Sequence, residues 1–345
     1  MFIKIKYIEI YVANIVQSKY FYTNGFGFKE IYTKSDQNNS IEQSLLKLGS
    51  ILLLLTSSKD SESNTSKEVS IRGDTIKDIG LEVNDVNSIV NKAHTFGANI
   101  LEQPNECLLF ESERVIKAVI DTFGETKHTL IQQIDSNNNT VGTHERSNDI
   151  KCIDHLAIAV EDFDYCKNYY KTIFGFYQSY KEKIETNLTG MDSIVMNLPN
   201  NQIKLVFIKP LKKKLTSQID MFLKYNGCPG VQHIAFLSTN IINTLKTLGS
   251  NGIELLNIPN SYYSNLSQNI KLNYKKVLNE LRDLNILIDE EDNKFLLQVF
   301  TKPIHTKPTL FYEIIQRDGA SNFGKNNIIA LFKAMEEQQK VSKEI

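Results

Sequence analysis

The sequence predicts an α+β protein made of two tandem, strand-rich halves, the second closed by a C-terminal helix. Three observations lead there. The chain has 345 residues and 41% apolar content, enough to bury the cores of roughly two domains. It repeats itself, with the order strand, helix, glycine, strand recurring in both halves. Its last segment, Thr309 to Gln339, reads as a strand containing Glu313, a turn marked by Gly319 and Gly324, and an amphipathic helix with Ile328, Leu331, Phe332 and Met335 on one stripe.

Taken in order, residues 5–31 and 153–180 read alike: each gives a strand, a short helix and a Gly-Phe pair that ends the helix and begins the next strand. This pairing sets Tyr7 opposite His155. In the second copy Phe163, Cys166, Tyr170 and Ile173 recur at helical spacing, with Gly175 as terminator. Residues 77–104 and 232–259 form the next pair, again strand, helix, Gly, strand and Pro, and set Asp78 opposite His233. Asn240 caps the helix bearing Ile241, Leu245 and Leu248, with Gly249 at its end. Last, HTLIQQ (128–133) stands beside FYEIIQR (311–317), with Thr129 opposite Glu313. The polar run DSNNNTVGTHERSND separates the halves as a linker.

Composition excludes several classes. Lys plus Arg number 39 and Asp plus Glu 40, so no basic surplus marks a nucleic-acid partner. LKKKL at 211–215 and KEK at 181–183 read as solvated faces without interleaved aromatics. Cys107, Cys152, Cys166 and Cys228 lack CxxC spacing, which points to reduced thiols rather than a zinc ribbon or disulfide framework. ILLLL at 51–55 is strand-sized, no apolar run is long enough to span a bilayer, and the N-terminus lacks signal-peptide features. The expectation is a cytoplasmic protein with no membrane partner.

Glu313 is the residue that demands an answer. A carboxylate inside Leu310, Phe311, Tyr312, Ile314 and Ile315 is costly to bury unless it is paired or binds a metal. His155 shares a strand face with Ala157 and Ala159, and His233 opens a similar strand. Alone, each histidine reads as a hydrogen-bonded core residue. The repeat places all three at matched strands, and two imidazoles with one carboxylate form the facial set that holds non-haem Fe(II) with positions open to ligands. One half carries Tyr, Asp and Thr there, so one metal per chain is expected. His94, His128, His144 and His305 read as surface or structural.

The segments IDHLAIAV, GVQHIAF, LLQVFTKP, FYEIIQRDGA and FGKNNIIALFKAMEEQQ resemble the 4-hydroxyphenylpyruvate dioxygenase family, which includes 4-hydroxymandelate synthase, within the vicinal oxygen chelate superfamily. The resemblance covers nearly the whole chain. It implies two tandem vicinal-oxygen-chelate barrels of paired βαβββ modules: a metal-free domain at 1–134, a linker at 135–150, and a catalytic domain at 151–345 with a lid helix. It implies Fe(II) on His155, His233 and Glu313. Gln218, Gln232, Gln298 and Ser193 match the family's polar groups around the substrate, and Phe300, Phe311 and Phe323 its pocket rings. The reactants would be 4-hydroxyphenylpyruvate and dioxygen, with carbon dioxide released, in a homodimer or homotetramer.

Two branches of the family differ in the carbon that is oxygenated. Ring attack gives homogentisate, as in tyrosine catabolism; benzylic attack gives 4-hydroxymandelate. Where the dioxygenase branch has Pro-x-Asn this chain has Val206, Phe207 and Ile208, and where that branch has Phe after the Asn of FGKGNF this chain has Ile328. These aliphatic residues resemble the mandelate synthase branch, which makes 4-hydroxymandelate the favoured product and homogentisate the alternative. LLQVFTKP and FGK look more like the dioxygenase branch. A metal-free binding protein and an extradiol ring-cleaving dioxygenase are other classes compatible with such a duplication; the one-sided His, His, Glu set speaks against the first and the FGKNNIIALF helix against the second.

Overall fold

A computed structural model describes residues 3–36, 40–135, 149–199, 203–304, 307 and 309–343. Linker residues 136–148, His144, His305 and the side chain of Met335 lie outside the described part. The first half contains strands β1 (Ile3–Tyr11), β2 (Lys29–Ser35), β3 (Ile41–Leu48), β4 (Ile51–Ser58), β5 (Thr75–Val83), β6 (Ile100–Leu109), β7 (Glu113–Asp121) and β8 (Lys127–Gln133). The second contains β9 (Ile150–Ala159), β10 (Tyr177–Glu185), β11 (Gly190–Asn197), β12 (Lys204–Pro210), β13 (Gly230–Ser238), β14 (Leu287–Glu291), β15 (Lys294–Phe300) and β16 (Phe311–Asp318). Helices α1 (Ile15–Tyr20), α2 (Asn64–Arg72) and α3 (Val86–Phe96) belong to the first half. The second adds α4 (Phe163–Tyr169), α5 (Gln218–Asn226), α6 (Ile241–Ser250), α7 (Asn260–Ser264), α8 (Gln268–Asn273), α9 (Leu278–Asp283) and α10 (Lys325–Lys343).

The duplication is complete at the level of topology. One eight-stranded sheet has the order β2-β3-β4-β1-β5-β8-β7-β6 and the other β10-β11-β12-β9-β13-β16-β15-β14, so each position in the first has its counterpart in the second. Within each sheet two βαβββ modules meet through the antiparallel pairs β1/β5 and β9/β13. Central strands such as β4 and β9 are mostly buried and largely apolar because both faces are covered. The edge strands β2 and β10 are exposed and carry lysines, including the KEK run, which discourages further strand pairing.

Asn240 caps its helix as the sequence indicates, and equivalent side chains cap other helices that begin after a strand. Asn14 and Asp162 each cap the first helix of their half by accepting from two backbone N–H groups, and Asp85 and Asn240 do the same for α3 and α6 through one. After α1 and α4 the chain widens into π-helical turns, Phe21–Phe26 and Tyr170–Phe174, each closed by a glycine in the left-handed region. Helix α6 runs past Gly249 to Ser250, and it is Gly252, at φ +87°, that carries the positive φ after it. The strand expected across 254–259 is reduced to a single bridge between Leu255 and Thr301. Here the second copy departs from the first: α7, α8 and α9 intervene, and the edge strand forms only at β14.

A continuous core draws residues from both halves, with side chains of α3, α4 and α6 inside it. The π-helical turns clasp the opposite half. Tyr22 hydrogen-bonds through its hydroxyl to Tyr312 on β16, and Tyr170 does so to His128 Nε2 on β8 at 2.8 Å. Both tyrosines are buried. Among the described residues, β10 and β14 do not pair with each other, so the second sheet is a half-barrel. Helix α10 packs against both of these edge strands and covers the mouth. Among the described residues no helix is long and apolar enough to cross a membrane.

Candidate metal centre and pocket

His155, His233 and Glu313 come from β9, β13 and β16, which are neighbours in the sheet. Register brings them to one face: Ala235 of β13 stands opposite both His155 and Glu313, and His233 lies two residues before it. His155 Nε2 and His233 Nε2 each lie 3.3 Å from Glu313 Oε2, and one ligand atom from each of the three falls within 4.8 Å of the others. Adjacent ligands about 2.1 Å from one ion lie about 3 Å apart, so two imidazole nitrogens and a carboxylate oxygen at these separations fit a facial metal site.

A local irregularity in the strands orients both imidazoles. The β9/β13 register slips at Asp154 and again at Gln232, so each histidine follows a bulged residue. Bulges re-aim side chains beside functional sites. Asp154 Oδ1 accepts from His155 Nδ1 at 2.9 Å, and Gln232 Oε1 lies 3.3 Å from His233 Nδ1. With Nδ1 acting as donor, each Nε2 is left to face Glu313: protonated it donates to the carboxylate, and deprotonated it presents a lone pair to the site. The first half has the same slips at Lys6 and Lys77, where the side chains instead form ion pairs with Glu113 and Glu68.

Charge is strongly organised here. Burial would raise the Glu313 carboxyl, but the charge and hydrogen bonds of the two imidazoles outweigh it and bring it down to about 2. Burial lowers His155, yet Glu313 and Asp154 raise it on balance, whereas for His233 burial prevails and the net direction is down. Asp154 is held well below the usual carboxylate range despite its burial, by hydrogen bonds from Arg317 and His155 and by their charges.

The matching position in the first half is closed. Tyr7 Oη donates to Asp78 at 3.0 Å, and Thr129 donates to the same carboxylate from its backbone N–H, at 2.9 Å, and from its hydroxyl. Gly80, the counterpart of Ala235, leaves room for the Tyr7 ring; a Cβ there would sit 2.6 Å from it. Where the second half gathers His155, His233 and Glu313, the first fills the space with a ring and three mutual hydrogen bonds.

In front of the three ligands lies a narrow cavity of about 50 Å³. Val206, Ile208, Gln218, Gln232, Gln298, Phe300, Phe311, Phe323 and Ile328 line it, all of them singled out by the sequence. Ser193 is not among the lining residues; it stands opposite Ile208 in the sheet, with its hydroxyl donating to the Glu182 carbonyl at 3.3 Å. Phe311 stacks on His233 with ring centroids 4.9 Å apart, and Phe323 meets His155 edge-on at 5.3 Å. Gln298 Nε2 donates to Glu313 Oε1 at 2.8 Å, while its Oε1 accepts from Asn327 Nδ2 of α10, also at 2.8 Å. Gly324 makes that approach feasible: at φ +72°, any Cβ would lie 2.1 Å from Gln298 Oε1.

Sequence reasoning missed Asp154, Arg317 and Asn327, none of which lines the cavity. It also missed Ala157, Met191 and Ile219, which do. The one available signal was the acid immediately before His155. His128, expected to be surface or structural, is structural: it is buried, with Nδ1 donating to the Ile79 carbonyl at 2.9 Å.

Residues 154–265 match the Glyoxalase/Bleomycin resistance protein/Dioxygenase superfamily. Over its full length the chain is similar to 4-hydroxyphenylpyruvate dioxygenase of Danio rerio, 31% identical across 98% of this chain and 91% of the relative. It is likewise similar to the Neurospora crassa protein of that name, 29% identical across 96% of this chain and 90% of the relative. Among solved structures, a mutant of 4-hydroxymandelate synthase from Streptomyces coelicolor superposes with a TM-score of 0.86 at 28% identity, covering 97% of this chain and 98% of that one.

Proposed function

The chain belongs to the 4-hydroxyphenylpyruvate dioxygenase family, and from that premise we propose that it is an Fe(II)-dependent oxygenase that decarboxylates 4-hydroxyphenylpyruvate with dioxygen. The observation that carries this reading is the largely buried His155, His233 and Glu313 set at the base of a cavity lined mainly by apolar side chains and three glutamines. Residues 151–345 are then the catalytic domain. Residues 1–134, with Tyr7, Asp78 and Thr129 bonded to one another, form a domain without metal that supports it.

Iron, when bound, supplies chelation of the substrate's 2-oxo acid and electron-transfer chemistry with dioxygen. His155, His233 and Glu313 would hold it, and substrate would approach from the cavity that these side chains adjoin. Gln298 fixes the Glu313 carboxylate by donating to its Oε1. Phe300 and Phe311 wall the ligands on the His233 side, and Phe323 covers His155. A cavity of about 50 Å³ holds a few waters at most, so its lining, which includes Ile328 and Leu331 of α10, has to give way to admit an aromatic acid.

Within that chemistry we assign 4-hydroxymandelate as the product. Ring position decides which carbon is oxygenated. Val206 and Ile208 on β12 and Ile328 on α10 border the cavity and offer no polar group of their own to hold a phenol there, which would let the ring withdraw and bring the benzylic carbon toward the His155, His233 and Glu313 end. Homogentisate is the competing reading, favoured by the names of the curated relatives. The test is anaerobic loading with Fe(II), addition of 4-hydroxyphenylpyruvate and air, and chromatographic separation against both isomeric standards. Predominant 4-hydroxymandelate supports the assignment. Predominant homogentisate overturns the product and leaves the family chemistry, and absence of oxygen uptake overturns both.

A further inference from the structure

Beyond the ligands, one charged side chain touches both a metal ligand's support and the cover of the pocket. Arg317 ends β16, four residues after Glu313. Its Nε and Nη2 donate to the two oxygens of Asp154 at 2.7 and 2.8 Å, and Asp154 in turn receives His155 Nδ1–H. Its Nη1 donates to the carbonyls of Asn322 at 2.7 Å and Ala320 at 3.3 Å, within the turn between β16 and α10. The guanidinium carbon lies 5.1 Å from the centroid of the Phe323 ring, the ring that covers His155.

We propose that Arg317 is a positioning residue that ties seating of the 319–324 turn over the pocket to the orientation of His155, acting through Asp154. The inference rests on the reading of His155, His233 and Glu313 as metal ligands. Asp154 is only 6% exposed, and a buried carboxylate keeps its charge and place when its oxygens are bonded from outside. A planar guanidinium can bind a carboxylate with one edge and backbone carbonyls with the other; a lysine ammonium reaches one or the other. Lys204, at 3.4 Å from Asp154, adds a second positive charge beside it.

The first half offers an internal comparison. There the counterparts of Asp154 and Arg317 are Lys6 and Gln133, and both bond to Glu113 rather than to each other, at 2.6 and 2.9 Å. The half without metal ligands therefore keeps the bulge and lacks the carboxylate–guanidinium brace. The brace goes with the metal site, not with the fold.

The experiment compares the parent chain with Arg317→Lys, Arg317→Met and Asp154→Asn, each first checked for a cooperative thermal transition. Apo protein is titrated anaerobically with Co(II), followed by its visible absorption, and with Fe(II) against a competing chelator. Hydrogen exchange of the 319–324 amides is then read with and without metal. The expected result is that Arg317→Lys and Asp154→Asn fold but bind metal about 10- to 100-fold more weakly, as loss of a ligand's hydrogen-bond partner typically does. Arg317→Met is the weaker binder of the two Arg317 variants. Combining Arg317→Lys with Asp154→Asn adds little to the worse single change. Metal slows exchange of the turn in the parent and no longer does so in Arg317→Lys.

Unchanged metal affinity in folded Arg317→Lys and Asp154→Asn overturns the proposal. So does weakened affinity with metal protection of the turn intact, which would leave Arg317 an ordinary structural contact. Failure of the parent itself to bind metal would overturn the reading of the site along with the proposal, and is thereby distinguished from failure of the brace alone.

Discussion

Replacing Asn327 by Leu tests how α10 is held over the pocket. Asn327 is fully buried; its Nδ2 donates to Gln298 Oε1 at 2.8 Å and its Oδ1 accepts from Tyr262 Oη at 3.1 Å. Tyr262 also bonds to the Ile288 backbone, at 2.9 Å to its carbonyl and 2.7 Å from its N–H, so its hydroxyl stays satisfied after the change. Gln298 Oε1 does not: it is left buried and unpaired only while the helix is docked. Such a group costs about 1–3 kcal/mol, and the middle of that range lowers the docked-to-undocked ratio by roughly 30-fold. Asn327→Leu is therefore expected to speed hydrogen exchange along α10 and to lower kcat/KM by up to that factor, while Fe(II) stoichiometry stays at the parent's value because the three ligands are untouched. Steady-state kinetics and exchange mass spectrometry on the same preparation measure both effects. Unchanged exchange in α10 together with unchanged kcat/KM would refute the idea that the Gln298–Asn327 contact holds the lid.

Glu313→Gln removes the charged ligand and is expected to reduce bound iron well below one ion per chain by metal analysis; full occupancy would contradict the site. Tyr312→Phe leaves the buried Tyr22 hydroxyl without its partner, for an expected loss of about 1–3 kcal/mol in urea unfolding, and the Tyr22→Phe/Tyr312→Phe double variant loses less than the sum of the singles. Strict additivity would remove this clasp as a link between the halves. Burial lowers His128 from 6.5 to about 4, while its bond to the Ile79 carbonyl opposes the drop. The unfolded chain takes up this proton near pH 6.5 and the folded chain only near 4, so stability is full above pH 6.5 and falls by about 3 kcal/mol as pH drops to 4. Unfolding midpoints measured across that window should lose part of their slope in His128→Gln; an identical slope would locate the acid sensitivity elsewhere.

How legible the site was varies residue by residue. His155, His233 and Glu313 could be found because the duplication supplied Tyr7, Asp78 and Thr129 as a built-in contrast at matched strands. Val206, Ile208 and Ile328 stood out as departures from a family pattern, and all three border the cavity. Asp154, Arg317 and Asn327 could not be found that way. Each works through a partner far along the chain, and their pairing follows from a one-residue bulge in β9 and from the path of the turn after β16.

The sequence by itself determined the two-fold repetition, the strand–helix–glycine–strand order of its paired segments, the Asn240 cap and the singling out of His155, His233 and Glu313, because these depend on local periodicity and on comparing one half with the other. It also suggested a strand between Gly252 and Pro259, which tertiary structure reduced to a single bridge, with three short helices following it. Only the tertiary structure decided that β10 and β14 do not pair among the described residues, that α10 packs on both of them, and that Gln298 is shared between Glu313 and α10. The physical reason is register. A slip of one residue in a strand turns a side chain to the other face, and residue types carry no record of which slip the neighbouring strands impose.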